Sequence, residues 1–235
     1  MSLTRAAAAR DDASTIARLA VPLLINNLAL GGMLSADTIM AGRLGADQLA
    51  AVAVGANFAG VTHFFALGML MALSPLVAHA YGAGRDADIG AYVRQGLWLA
   101  AAVGVAIIAA LTATEPLLLL IGIPPETADL ASRYVRALSL GMPALCGFYA
   151  LRFGSEGIGW TRPFMYTAVV GLVVNILLNY VFMQRMGVAG IALSTSVMYV
   201  VSCAYLGFML HRALIATENE PALPGLGIVP LVSWR

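Results

Sequence analysis

The chain contains no lysine: all 13 of its basic residues are arginines, and charged residues of both signs make up only 11% of its 235 positions. A soluble domain carries roughly 25%. No basic cluster interleaved with aromatics is present, so the net charge of +1 gives no footing for nucleic acid. No Walker-type glycine loop is available to cradle a nucleotide phosphate. The two cysteines, Cys146 and Cys203, fall inside long apolar stretches, where small packing residues are expected rather than a disulfide or a metal site. Those stretches are unbroken and rich in Ala and Leu instead of alternating every second residue, which excludes a strand barrel.

What the chain does have is apolar surface: hydrophobic residues are 60% of the total and the mean hydropathy is +0.86. The solvent is therefore a bilayer. Backbone groups find no water in hydrocarbon, so segments that satisfy themselves internally are required, and each span needs about 20 residues. The expected fold is an all-α integral membrane protein with six spans. They run from about Leu19 to Ala41, Leu49 to Ala80, Gln95 to Ile121, Tyr134 to Phe153, Phe164 to Met183 and Val188 to His211. The second is long enough to need tilt, a kink at Pro75 or an extension into water, and its Gly55, Gly60 and Gly68 permit close packing. Gly122, Pro124 and Pro125 separate the third span from the fourth.

Arginine placement orients this array. Nine arginines (Arg5, Arg10, Arg18, Arg85, Arg94, Arg152, Arg162, Arg212 and Arg235) fall on one side, against Arg43, Arg133, Arg136 and Arg185 on the other. The positive-inside rule then places both termini in the cytoplasm. A cleavable signal peptide is the competing account of the N-terminus, but the first apolar run has span length rather than the roughly 7–15 residues of a signal core. Residues 1–15 form a cytoplasmic tail in this scheme, 16–212 a six-helix transmembrane lobe and 213–235 a second cytoplasmic tail.

Asp37 stands alone in the first span, with no basic residue between Arg18 and Arg43. An ionisable group there costs at least about 2.5–3.5 kcal/mol on insertion scales, so such residues mark aqueous or bundle-facing sites. No second acid lies at comparable depth, which disfavours an intramembrane aspartyl protease. His63 and His79 are sixteen residues apart on one helix. At 1.5 Å per residue that is roughly 24 Å, too far for a shared metal. No enzyme is expected, and no cofactor.

Amides do occur at membrane depth. Asn175 and Asn179, at i and i+4 in the fifth span, share one helix face. They are either interhelical glue, for which about 0.6 kcal/mol each is typical, or part of a polar cluster with Asp37 that exchanges proton, cation or cationic substrate. Pro22, fifteen residues before Asp37, is either a place for the first helix to bend or an ordinary helix-start proline. Tyr134 and Thr195 are candidates to line a cavity, with packing as the competing role. Glu156, in GSEGIGW, is expected to be a solvated loop residue. Trp98 and Trp160, near span ends, are expected as interface anchors.

The string LSADTIMAGRLG, Leu34 to Gly45, resembles the first-span signature of the multidrug and toxic compound extrusion (MATE) family. MALSPLVAHAYGAGR, Met71 to Arg85, is similar to that family's second-helix end. GIGWTRPFMYTAVVGLVVNILLNYVFM, Gly157 to Met183, resembles the loop and Asn-containing fifth helix of its NorM-like branch. The resemblance extends over about Ile16 to Arg212 and implies an antiporter that exports organic cations and other drugs across the cell inner membrane, driven by protons or sodium. By the same resemblance, Asp37 matches the acidic residue implicated in ion coupling, Asn175 and Asn179 the amides grouped with it, and Pro22 the proline of a first helix thought to bend.

Members of that family have twelve helices in two lobes, and the resemblance here is to the first. Three accounts follow: a half-transporter that forms a homodimer or pairs with a second lobe; a truncated gene product, with 213–235 a cut inter-lobe segment; or a membrane module that binds without transporting. A lipid or polysaccharide flippase of the wider superfamily is a further alternative.

Overall fold

The structure, a computed structural model, describes residues 2–219. The last part of the expected C-terminal tail, residues 220–235, lies outside the described residues. Among those described there are nine helices and no strand: α1 (Ser2–Leu44), α2 (Ala46–Met71), α3 (Leu73–Gly82), α4 (Asp86–Leu111), α5 (Thr114–Leu120), α6 (Pro125–Ser139), α7 (Met142–Gly157), α8 (Arg162–Met186) and α9 (Val188–Asn219). Five stretches are long and apolar enough to cross a membrane, and α6 with α7, bent by 48°, supplies a sixth.

Prolines account for the breaks. Having no N–H, proline leaves unpaired the carbonyl four residues earlier and crowds it. Pro75 does this to Met71, where α2 ends, and Pro143 to Ser139, where α6 ends. The expected second and fourth spans are therefore each two helices. The third is also divided, into α4 and α5, because Pro116 frees the carbonyl of Thr112. Thr112 and Thr114 hydroxyls donate back to the carbonyls of Ala109 at 2.6 Å and Leu111 at 2.7 Å, competing with the helical ladder. At Pro22 the same chemistry has a different result, since α1 continues through it unbroken.

Two single-glycine connections fix neighbours. Gly45, at φ 125°, joins α1 to α2, and Gly187, at φ 58°, joins α8 to α9. Both lie in the left-handed region that side chains disfavour. α1 packs on α8 and α8 on α9, while α4 lies against α7 and α6 against α9. At the α6–α7 break, α9 comes close: a side chain on Gly141 would begin 2.6 Å from the Cα of Ser196. The Ser196 hydroxyl is shared between the carbonyls of Ala137 at 2.8 Å and Leu138 at 3.1 Å, the second of which also accepts from the Gly141 N–H at 3.1 Å. Buried polar groups without such partners would cost about 1–3 kcal/mol.

Several expectations change. Gly55 does pack tightly, against Tyr134 and Ala131, but Gly60 and Gly68 have no neighbour on their open side. Trp98 is exposed as an interface anchor would be, whereas Trp160 is buried in the core. Glu156 is no loop residue: it lies on α7, half-buried, with its Oε1 2.7 Å from Nε of Arg152. One helical turn separates the two, so the backbone itself brings them together. Cys146 and Cys203 are both free thiols.

Candidate functional site

Asp37 is carried on α1, the helix that packs on α8, and α8 lies beside α9 through the tight Gly187 connection. Those three helices converge on its carboxylate. Asn179 of α8 donates from Nδ2 to Asp37 Oδ1 at 2.6 Å, and Thr195 of α9 donates from Oγ1 to Oδ2 at 3.2 Å. Asn175, one turn before Asn179, accepts from Asn179 Nδ2 through its Oδ1 at 3.1 Å and donates from its own Nδ2 to Thr195 Oγ1 at 3.4 Å. The four side chains close a ring.

All four are buried: Asp37 is 5% exposed, Asn175 and Asn179 0%, Thr195 9%. No basic group pairs with Asp37 among the described residues; its compensation comes from an amide and a hydroxyl. A carboxyl group so placed has no opposite charge to cancel it when it ionises. Asn179 Oδ1 is also without a partner, which leaves an acceptor oxygen beside an anion. Oxygens of this kind suit a hard cation or a proton. Residues expected at the site are thus brought together in Asp37, Asn175 and Asn179, and Thr195 joins them as a direct partner of the carboxylate. Pro22 lies on the same helix, fifteen residues earlier.

A cavity of about 820 Å³ opens beside this ring, and Asp37, Thr195 and Tyr134 all line it. Leu30, Met33, Leu34, Leu138, Met142 and Met198 make its wall largely apolar. Ligand pockets of about 300–1,000 Å³ take drug-sized molecules. Tyr134, 3% exposed, therefore serves both as a cavity wall and as the neighbour of Gly55.

Other polar residues on this wall were not expected. Asn26 is 0% exposed, and both of its amide atoms lack partners. The sequence did carry a signal, because eleven residues is close to three turns at 3.6 residues per turn, putting Asn26 on the face of Asp37. His63 and Tyr149 meet across the bundle, 2.8 Å between Tyr149 Oη and His63 Nε2. Nothing in the sequence announces a contact between residues 86 positions apart.

Fold and site together define a multi-pass helical membrane protein with a polar centre opening on an apolar cavity. Residues 22–181 match the MatE family model, and the chain belongs to that family. It is 36% identical to the multidrug resistance protein NorM of Vibrio cholerae, covering 90% of this chain and 49% of that protein. To the multidrug resistance protein MdtK of Yersinia enterocolitica it is 35% identical, over 86% of this chain and 46% of the relative. The chain spans about half the length of the curated relatives it matches. A solved outward-facing multidrug resistance MATE family transporter superposes with a TM-score of 0.76 at 28% identity, covering 83% of this chain and 44% of that one. The eukaryotic MATE transporter AtDTX14 shares the fold, with a TM-score of 0.83 at 19% identity over 92% of this chain and 49% of its own.

Proposed function

We propose that this chain acts as a six-helix lobe, residues 16–212, of an antiporter that exports organic cations or amphipathic drugs in exchange for protons or sodium. The observation that carries the proposal is the compensation of Asp37. A carboxylate held by Asn179 and Thr195, with no basic side chain paired to it among the described residues, is free to exchange one positive species for another. A proton binds the carboxylate directly. Sodium would draw on Asp37 together with the free Asn179 Oδ1. A cationic substrate entering the cavity competes for the same charge, and occupancy by one or the other biases the lobe between states.

Alternating access needs two bundles moving about a site. The chain works in this proposal with a second six-helix lobe, supplied by a second copy or by another stretch of polypeptide. Both termini face the cytoplasm, in the inner membrane, as the arginine distribution favours. Everted vesicles containing the chain should take up a lipophilic cationic dye when their lumen is acidified or loaded with sodium, so that the ion gradient is directed outward, and lose that uptake with Asp37→Asn while insertion is unchanged. Full uptake by the variant would end the proposal.

A further inference from the structure

Along α1 the cavity wall carries two separated polar groups. One is the Asp37 ring. At the other, Asn26 is fully covered, lies on the cavity wall and has neither its amide N–H groups nor its carbonyl oxygen paired. Eleven residues of α1 separate the two, about 16 Å at 1.5 Å per residue. Leu30, Met33 and Leu34 fill the interval on the same helix.

Counted by helix rise, His63 falls close to the depth of Asn26. Gly42 of α1 lies beside Leu49 of α2. Sixteen residues back along α1 lead to Asn26 and fourteen forward along α2 lead to His63, about 24 and 21 Å at the same rise. Tyr149 of α7 holds the imidazole through Nε2 at 2.8 Å, and Nδ1 makes no hydrogen bond among the described residues. Both His63 and Tyr149 line the cavity. This group therefore presents unpaired donors and an unpaired acceptor but no carboxylate. It is built to recognise a neutral group that both donates and accepts.

We infer that Asn26, with His63 and Tyr149, forms a second subsite for the neutral hydrogen-bonding head, such as a carboxamide, of an elongated aromatic cation whose charged end lies at Asp37. The substrate class is then a rod with unlike ends: a cation, an apolar middle and a polar neutral tip. Buried polar groups left unpaired discriminate strongly, because a substrate lacking the matching group leaves them unpaired again. The inference rests on the cationic end being held at Asp37 as proposed above.

Two probes separate the parts. Both are p-terphenyl rods with trimethylammonium at one end; one carries a primary carboxamide at the other, its twin a methyl group. Binding is measured by fluorescence titration of the full chain in lipid nanodiscs. The carboxamide should bind about tenfold more tightly, as one net hydrogen bond allows. Asn26→Leu should erase that preference, and Tyr149→Phe, which releases His63, should reduce it. Asp37→Asn should weaken both probes alike. Equal binding of the two probes to the unaltered chain, with sensitivity to Asp37→Asn, overturns the second subsite alone and leaves ordered water as the partner of Asn26. A carboxamide preference that depends on Asn26 but ignores Asp37→Asn keeps the subsite and sinks the cationic role of Asp37. Binding of neither probe overturns both.

Discussion

Asn179 and Asp37 are 142 residues apart in sequence, and their side chains meet at 2.6 Å, the shortest contact in the buried ring. Thr195 reaches the other carboxylate oxygen less closely, at 3.2 Å. The amide is thus the principal partner of the charge, and it ties α1 to α8 across the bundle.

A double-mutant cycle measures that tie. Hydrogen bonds to charged groups contribute about 1.5–3 kcal/mol, and residues in direct contact couple by a comparable amount. Asn179→Leu leaves a buried carboxylate short of its donor, while the same change made beside Asp37→Asn meets no charge. We expect Asn179→Leu to be markedly more destabilising in the first background. With the partly exposed Cys203 replaced by alanine throughout, Cys146, 0% exposed, is a built-in reporter, since its thiol reacts with a fluorogenic maleimide only as the bundle opens on heating. Additive effects in the thermal melts would show that the contact holds nothing.

Thr195 has a dual role, donating to Asp37 and accepting from Asn175. Valine has the same shape without the oxygen, whereas serine keeps it. In dye uptake by everted vesicles, Thr195→Val should lower the coupled rate by about tenfold or more, the loss of roughly one hydrogen bond at a charge. Thr195→Ser should retain most of it. Equal loss in both would show that the methyl group and its packing matter rather than the hydroxyl.

The membrane class, the helical architecture and Asp37 itself were legible because each rests on local composition or on a single costly residue. The Asn175–Asn179 face was legible from spacing, and its union with Asp37 only as one of two readings, since spacing on one helix says nothing of which neighbour it meets. Glu156 was misplaced because a glycine-flanked acid reads as loop, although Arg152 four residues earlier offered an i, i+4 partner. The breaks at Met71 and Ser139 follow from prolines visible in the sequence; what was not visible is that α1 runs on through Pro22. Tertiary packing decides whether a helix tolerates the missing bond.

The Arg152–Glu156 pair is mostly buried, its side chains 10% and 16% exposed, and the guanidinium also lies 5.4 Å from the centre of the Phe164 ring. Removing one partner of a buried pair strands the other charge, which costs about 3–5 kcal/mol, whereas replacing both with apolar residues is often neutral. Glu156→Leu should therefore lower the melting temperature clearly, and Arg152→Met with Glu156→Leu should recover most of the loss. A double variant as unstable as the single one would mean that the arginine acts through its aromatic contacts instead.

Gly141 sits where α6 breaks and α9 approaches, and the obstacle to any larger residue is backbone: an added Cβ would stand 2.6 Å from Ser196 Cα. A flexible side chain could swing aside, but this contact can be relieved only by moving α9. That movement has a second effect, because Ser196 Oγ caps the carbonyls of Ala137 and Leu138. Gly141→Ala should then cost more than the roughly 1–3 kcal/mol usual for overpacking, since it also takes the serine from the Ala137 carbonyl, while Leu138 keeps the Gly141 N–H. Ser196→Ala alone separates the two effects, removing the cap while leaving the space. We expect a smaller drop in melting temperature for Ser196→Ala, and no further drop when it is added to Gly141→Ala, because the cap is already lost there. Full additivity of the two would instead place the cost of the alanine in steric strain alone, with α9 and its serine held in position.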